Sequence, residues 1–168
     1  MRYLLFVNIL IVCSFFTTTV SENPGLMQGE KRNDFRIIIT TPQAEITGIC
    51  VVKNVNGGWR GAIMNEFGIK VFDFICTSKK CELVNVISFI DKWYIKKVVA
   101  SDIQFIMEID NPDYKIGAKS DRYWVQDTLT VKHKKEKELR RFPDGEVVCK
   151  NHKRAITYSL KKMNETER

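Results

Sequence analysis

Residues able to do covalent or acid–base chemistry are few and scattered in this 168-residue chain. Histidine occurs only at His133 and His152, and no Cys-x-x-Cys pair accompanies either, so the ligand spacing of a zinc site is missing. The sequence holds no Gly-x-Ser-x-Gly, no His-Glu-x-x-His, no phosphate loop and no dinucleotide-binding glycine set. Asp73, Asp91, Asp102 and Asp110 are carboxylates that can in principle pair as acid and base. Scattered carboxylates are far more often caps and surface charges. The expectation is a protein that binds rather than catalyses, with no metal and no cofactor.

Cysteine is the remaining reactive type, at Cys13, Cys50, Cys76, Cys81 and Cys149. Cys13 lies in an apolar run over residues 3–16 that follows Arg2 and is broken only by Asn8, Cys13 and Ser14. A membrane span needs about 20 apolar residues, whereas the core of an export signal needs about 7–15. The run reads as an export segment, with three processing routes. Leu10-Ile11-Val12-Cys13 resembles a bacterial lipobox, with Val12 where Gly, Ala or Ser is usual. On that route Cys13 is lipidated and tethers the chain to a membrane. Thr19-Val20-Ser21 suits cleavage before Glu22 and a secreted product, and an uncleaved anchor is the third route. Without Cys13, four cysteines would meet an oxidising space, where disulfides persist. Four allow three pairings. Cys76 and Cys81 flank a four-residue loop and can bond across it if their Cα atoms come within about 6 Å. Burial as small apolar residues is the other reading of these cysteines.

The formal net charge is +7, from 27 basic and 20 acidic residues. That balance favours anionic partners or serves as a solubilising surface. The densest basic stretch spans residues 132–141, where Lys132, Lys134, Lys135, Lys137, Arg140 and Arg141 outnumber Glu136 and Glu138. Nucleic-acid binding calls for aromatic residues interleaved with the bases, and only Phe142 stands near, so nucleic acid is not expected as a partner. Lipid headgroups or an acidic protein face fit the stretch better. A charged strand edge that discourages aggregation is the other reading.

The elements that must position these residues follow from periodicity and turn signals. Residues 1–21 form the export segment, 22–33 a spacer rich in Gly, Pro and charge, 34–162 one domain, and 163–168 a polar tail in which Asn164-Glu165-Thr166 fits a glycosylation acceptor. Short strands are expected over 35–40, 45–54, 59–67, 69–76 and 82–86, with hairpin turns at Asn56-Gly57 and Gly68. Residues 88–109 hold no Gly or Pro and read as one bent helix or two short ones. Ser88 with Asp91 resembles a capping box. The helical stripe of Ile95, Val98, Val99, Ile103, Ile106 and Met107 is interrupted by Asp102, and Asn111-Pro112 ends the segment. Strands return over 121–133, 134–142, 146–150 and 154–160, the second of these as a strand or an exposed hairpin arm. Trp59, Ile63, Phe67, Phe72, Phe74, Trp93 and Phe105 are expected either to line an apolar cavity between sheet and helix or to fill an ordinary core.

One resemblance adds to this reading. Residues 46–53, then Trp59-Arg60, then residues 65–74 with Glu66, Gly68, Phe72 and Asp73, resemble envelope lipoproteins of the LolA/LolB-like kind. The likeness spans about residues 35–107. It implies an α+β fold: an incompletely closed, mostly antiparallel β-barrel or curved sheet with a helical segment packed on one side. It further implies an outer-membrane lipoprotein facing the periplasm, holding a lipid or lipoprotein acyl chain in an apolar interior. A lipoprotein with a filled core and a soluble secreted binding protein are the alternatives.

Overall fold

A computed structural model describes residues 32–55, 58–109 and 120–163. The export run with Cys13, most of the spacer, the Asn56-Gly57 turn, the Asn111-Pro112 break, Asp110 and the Asn164 acceptor lie outside the described residues.

The described residues form ten strands: β1 Asn33–Thr40, β2 Glu45–Val55, β3 Gly58–Asn65, β4 Lys70–Cys76, β5 Cys81–Val84, β6 Ser120–Val125, β7 Thr128–His133, β8 Lys137–Arg141, β9 Val147–Asn151 and β10 Ile156–Lys162. A 3-10 turn, Ser88–Ile90, and a helix, α1, Trp93–Met107, lie between β5 and β6. All pairings are antiparallel, and the order across the single sheet is β5-β4-β3-β2-β1-β10-β9-β8-β7-β6. The sheet is therefore two five-strand meanders joined where β1 pairs with β10. Among the described residues β5 and β6 do not pair, so the barrel stays open. Helix α1 packs against β4, β5 and β9. The result is an α+β fold with a curved open sheet and one helix on it.

Strand alternation sorts the side chains. Phe35, Ile37, Cys50, Val52, Ile63, Phe72, Phe74, Leu139, Val147, Cys149, Tyr158 and Leu160 bury themselves in one cluster with Ile103, Phe105 and Ile106 of α1. Fully burying a large apolar side chain is worth about 1.5–3 kcal/mol, which makes this cluster the chief source of stability. Gly61 pairs with Phe74, and the Phe74 ring lies over it where a Cβ would stand.

Several expected elements change. Strand β1 starts at Asn33, inside the expected spacer. Residues 121–133 form two strands, because Gln126 (φ 45°) and Asp127 (φ 62°) make a left-handed two-residue turn without the usual Asn-Gly signal. The stretch over residues 134–142 becomes β8, paired on both sides, so it is not a charged edge. The edges are β5 and β6. No capping box forms: the backbone N–H of Asp91 donates to the Ser88 carbonyl, and Lys92 precedes α1 without a side-chain cap. Two helical pieces result, the 3-10 turn and α1.

Candidate functional site

Asp102, an interruption in the apolar stripe by sequence, is fully buried on the sheet side of α1. Its carboxylate accepts from Lys137 Nζ at 2.6 Å, from Asn151 Nδ2 at 3.0 Å on both oxygens, and from the Tyr158 hydroxyl at 3.1 Å. These partners come from β8, β9 and β10, so one carboxylate ties the helix to three strands of the second meander. Lys137 Nζ also donates to Ser101 Oγ at 2.8 Å. The Lys137 side chain is 13% exposed, so its ammonium sits at the boundary between core and solvent. Burial first, then the Asp102 carboxylate, pushes the Tyr158 phenol well above its ordinary value of 10.0. The same two causes, in the same order, push the Cys149 thiol far up, with Lys137 opposing them. Among the described residues no buried side-chain nitrogen or oxygen lacks a partner.

Ser101 beside Lys137 has the composition of a serine–lysine dyad. A serine nucleophile needs a base free to take its proton. Lys137 instead ends in an ion pair with Asp102 at 2.6 Å. Among the described residues no group of three or more His, Cys, Asp and Glu side chains could hold a metal ion.

Above this cluster lies an open groove of about 360 Å³ lined by Trp93, Tyr94, Lys97, Lys137, Lys153 and Arg154, among others. Local structure explains its shape. The β7–β8 and β9–β10 turns dock on each other: the His152 N–H donates to the Glu136 carbonyl at 2.8 Å and Lys153 pairs with Glu136 at 3.0 Å. Asn151 Oδ1 accepts from the Arg154 backbone N–H at 3.1 Å and shapes the second turn. Trp93 and Tyr94, the first residues of α1, meet edge to face at 6.0 Å.

The strand registers place five connections at this same end of the sheet: the β1–β2, β3–β4, β7–β8 and β9–β10 turns and the β5–α1 segment. Phe67 and Ile69 stand exposed on the β3–β4 turn, Phe89 on the 3-10 turn, and Trp93 and Tyr94 on α1. Phe67, Ile69 and Phe89 border a second open depression of about 230 Å³.

The expected apolar set therefore divides. Ile63, Phe72, Phe74 and Phe105 belong to the packed cluster, and Trp59 packs half-buried against it. Phe67 and Trp93 do not join them. Phe67 is 78% exposed, because the Asn65 side chain and Gly68 (φ 75°) fold the turn and leave Phe67 at its tip. Trp93 is 75% exposed, at the helix start well before the buried stripe begins at Ala100.

The expected basic surface divides as well, since alternate residues of a strand face opposite ways. Lys137 turns inward to Asp102. Arg140 and Lys132 flank Glu138 on the outer face, at 2.5 and 3.8 Å. The Arg141 guanidinium lies over the Trp124 ring at 5.7 Å, and Lys132 lies 5.6 Å from the Tyr123 ring. Lys134 and Lys135, on the β7–β8 turn, stand exposed next to each other.

Cys76 and Cys81 are joined in a disulfide across the β4–β5 hairpin. Cys50 and Cys149 are free and buried. Strands β1 and β10 separate them, about 14 Å at the usual strand spacing, which forbids a bond. Burial, then the Asp34 charge, raises the Cys50 thiol to about 12.

Sequence reasoning missed Asp102, Asn151 and Tyr158 as one constellation. The available signal was phase: Asp102 shares the helix side of Ile103 and Ile106, and Lys137 alternates with buried Leu139. No protein-family model matches the chain, and no curated protein matches it by sequence.

Proposed function

We propose that this chain is an exported, non-catalytic binding protein that works against an anionic lipid surface with the Phe67–Trp93 end of its sheet. One observation carries the reading: five large apolar side chains, Phe67, Ile69, Phe89, Trp93 and Tyr94, stand exposed at one end together with Lys134, Lys135, Lys97 and Arg154. Exposed apolar side chains grouped in this way mark interaction surfaces. Tryptophan and tyrosine suit the boundary of a bilayer, and each lysine or arginine near an anionic leaflet adds about 1 kcal/mol of attraction. Arg2 and the apolar run over residues 3–16 support export, and a lipid on Cys13 would hold the domain at that surface.

The LolA/LolB-like likeness supports work in the cell envelope beside lipid. It would place an acyl chain inside the sheet. The packing of Ile63, Phe72, Phe74 and Phe105 in one cluster supports a filled interior instead.

Co-sedimentation with vesicles tests the proposal. Binding is expected to mixed phosphatidylcholine and phosphatidylglycerol, to fall with added salt, and to be lost in the Phe67→Ser, Trp93→Ser double variant. Equal retention on pure phosphatidylcholine, or unchanged binding by the variant, would refute it. Native mass spectrometry after gentle extraction should find no lipid retained by the Phe67→Ser, Trp93→Ser variant; a stoichiometric lipid kept by that variant would favour the carrier reading.

A further inference from the structure

The groove beside Trp93 is more specific than a charged surface. We infer that it seats the phosphate group of a single lipid headgroup, an inference that rests on the membrane reading for its source of phosphate but not for its chemistry.

Four features of the groove converge. Among the described residues, no acid or other acceptor pairs the side chains of Lys97 and Arg154, although both line the groove. Two further cations are fixed around them: Lys153 is held by Glu136 at 3.0 Å and Lys137 by Asp102 at 2.6 Å. The positive end of α1 opens beside the groove with no side-chain cap and no acidic residue in its first turn. Asp91, the nearest acid before it, is engaged by Lys96 at 2.6 Å. Helix starts of this kind leave backbone N–H groups and a partial positive charge for an anion. The Trp93 and Tyr94 rings wall the same groove and give the hydrocarbon part of a headgroup an apolar face.

Charge count and size select the ligand class. Four cations less the two acids that hold two of them leave a modest excess, suited to one phosphate rather than a polyanion. The volume of about 360 Å³ lies at the small end of ligand sites and holds one headgroup, not a folded peptide. Arginine and lysine bind phosphate by short charge-assisted hydrogen bonds, and loss of one such bond weakens binding about tenfold.

The test titrates the purified chain with glycerol phosphate, with phosphatidylglycerol vesicles and with a soluble polyglutamate, following tryptophan fluorescence with Trp93 as the groove reporter. Glycerol phosphate is expected to saturate the groove. Lys97→Gln and Arg154→Gln should each weaken it about tenfold. The Lys79→Gln, Lys80→Gln double variant, which removes exposed charge from the β4–β5 hairpin at the opposite end of the sheet, should bind as the parent does. Melting curves establish that the variants fold, as expected for exposed positions. Equal losses in the two sets of variants would reduce the effect to diffuse charge and overturn the seat. Polyglutamate binding with the same dependence on Lys97 and Arg154, without glycerol phosphate binding, would overturn it in favour of an acidic peptide. Vesicle binding that ignores Lys97 and Arg154 but needs Phe67 would overturn the seat and leave the membrane reading standing. Glycerol phosphate binding without vesicle binding would support the seat and remove the membrane reading.

Discussion

The first meander, β1–β5, lines its inner face with Phe35, Cys50, Val52, Ile63, Phe72 and Phe74. The second, β6–β10, sets Lys137, Asn151 and Tyr158 among Leu139, Val147 and Cys149 on the same side of the sheet. Both use the same antiparallel plan, and both face α1. They hold the helix by different physics. Against β4 and β5 the contact is apolar and permits small slides, because dispersion and burial have little directionality. Against β8, β9 and β10 the carboxylate of Asp102 must meet three donors, which permits one position only. The first meander thus supplies the larger share of the sheet's apolar burial, and the second sets the register of the helix on the sheet. A buried ion pair contributes little net stability, but breaking it is costly.

The largest test of this contrast removes one partner of the pair. Asp102→Ala should destabilise the fold by about 3–5 kcal/mol, since it strands the Lys137 ammonium at the edge of the core. The joint replacement Asp102→Leu, Lys137→Met should recover most of that loss. Urea denaturation of the three proteins measures both effects. A single variant as stable as the parent would show that the second meander holds the helix as the first does.

A smaller effect is expected from the staple in the first meander. Opening Cys76–Cys81 by Cys→Ser at both positions returns only a short loop's worth of entropy to the unfolded chain, so the loss should be about 2 kcal/mol. It should leave the Asp102 network intact, and therefore add to the first effect rather than overlap with it. Strong non-additivity in the combined variant would mean that the two meanders do not act separately.

Alkaline pH has the smallest effect just above pH 9, and that effect grows from there. Folding raises the Cys50 and Cys149 thiols and the Tyr158 phenol above their ordinary values of 9.0 and 10.0. For groups raised on folding, the stabilising contribution is complete below the unfolded value. It is lost as pH rises from there toward the folded value, because the unfolded chain releases its protons first. The melting temperature should hold up to about pH 9 and then decline, with the loss from Cys50 extending to about pH 12. Tyr158→Phe should lower stability at neutral pH and make the decline above pH 10 shallower. An unchanged slope would separate Tyr158 from the alkaline response and weaken the distinction between the meanders.

Much of the frame was legible in order along the chain. Periodicity and turn signals, the Gly68 turn among them, marked the strands over residues 45–54 and 69–76, because a hairpin is set by neighbours in sequence. The Cys76–Cys81 pair was legible for the same reason, since its loop is short. The candidate groove was not. Its basic part was read as one surface over residues 132–141, yet strand alternation turned Lys137 inward and left Arg140 outside. Trp93 was expected in the interior, as cavity lining or as core, but it begins the helix instead of lying within its buried stripe.

By itself the sequence determined a basic excess, short antiparallel strands and one helical segment, and it offered a hairpin disulfide as one pairing of four cysteines. Each is a property of residues close together in the chain. Tertiary structure decided that Asp102 is a buried tie rather than a flaw in the stripe, and that Phe67, Phe89, Trp93 and Arg154 share one end. Those facts depend on β1 pairing with β10 and on α1 folding back between the meanders. Such contacts join residues about 50 to 120 positions apart, where local propensity carries no information about which partners will meet.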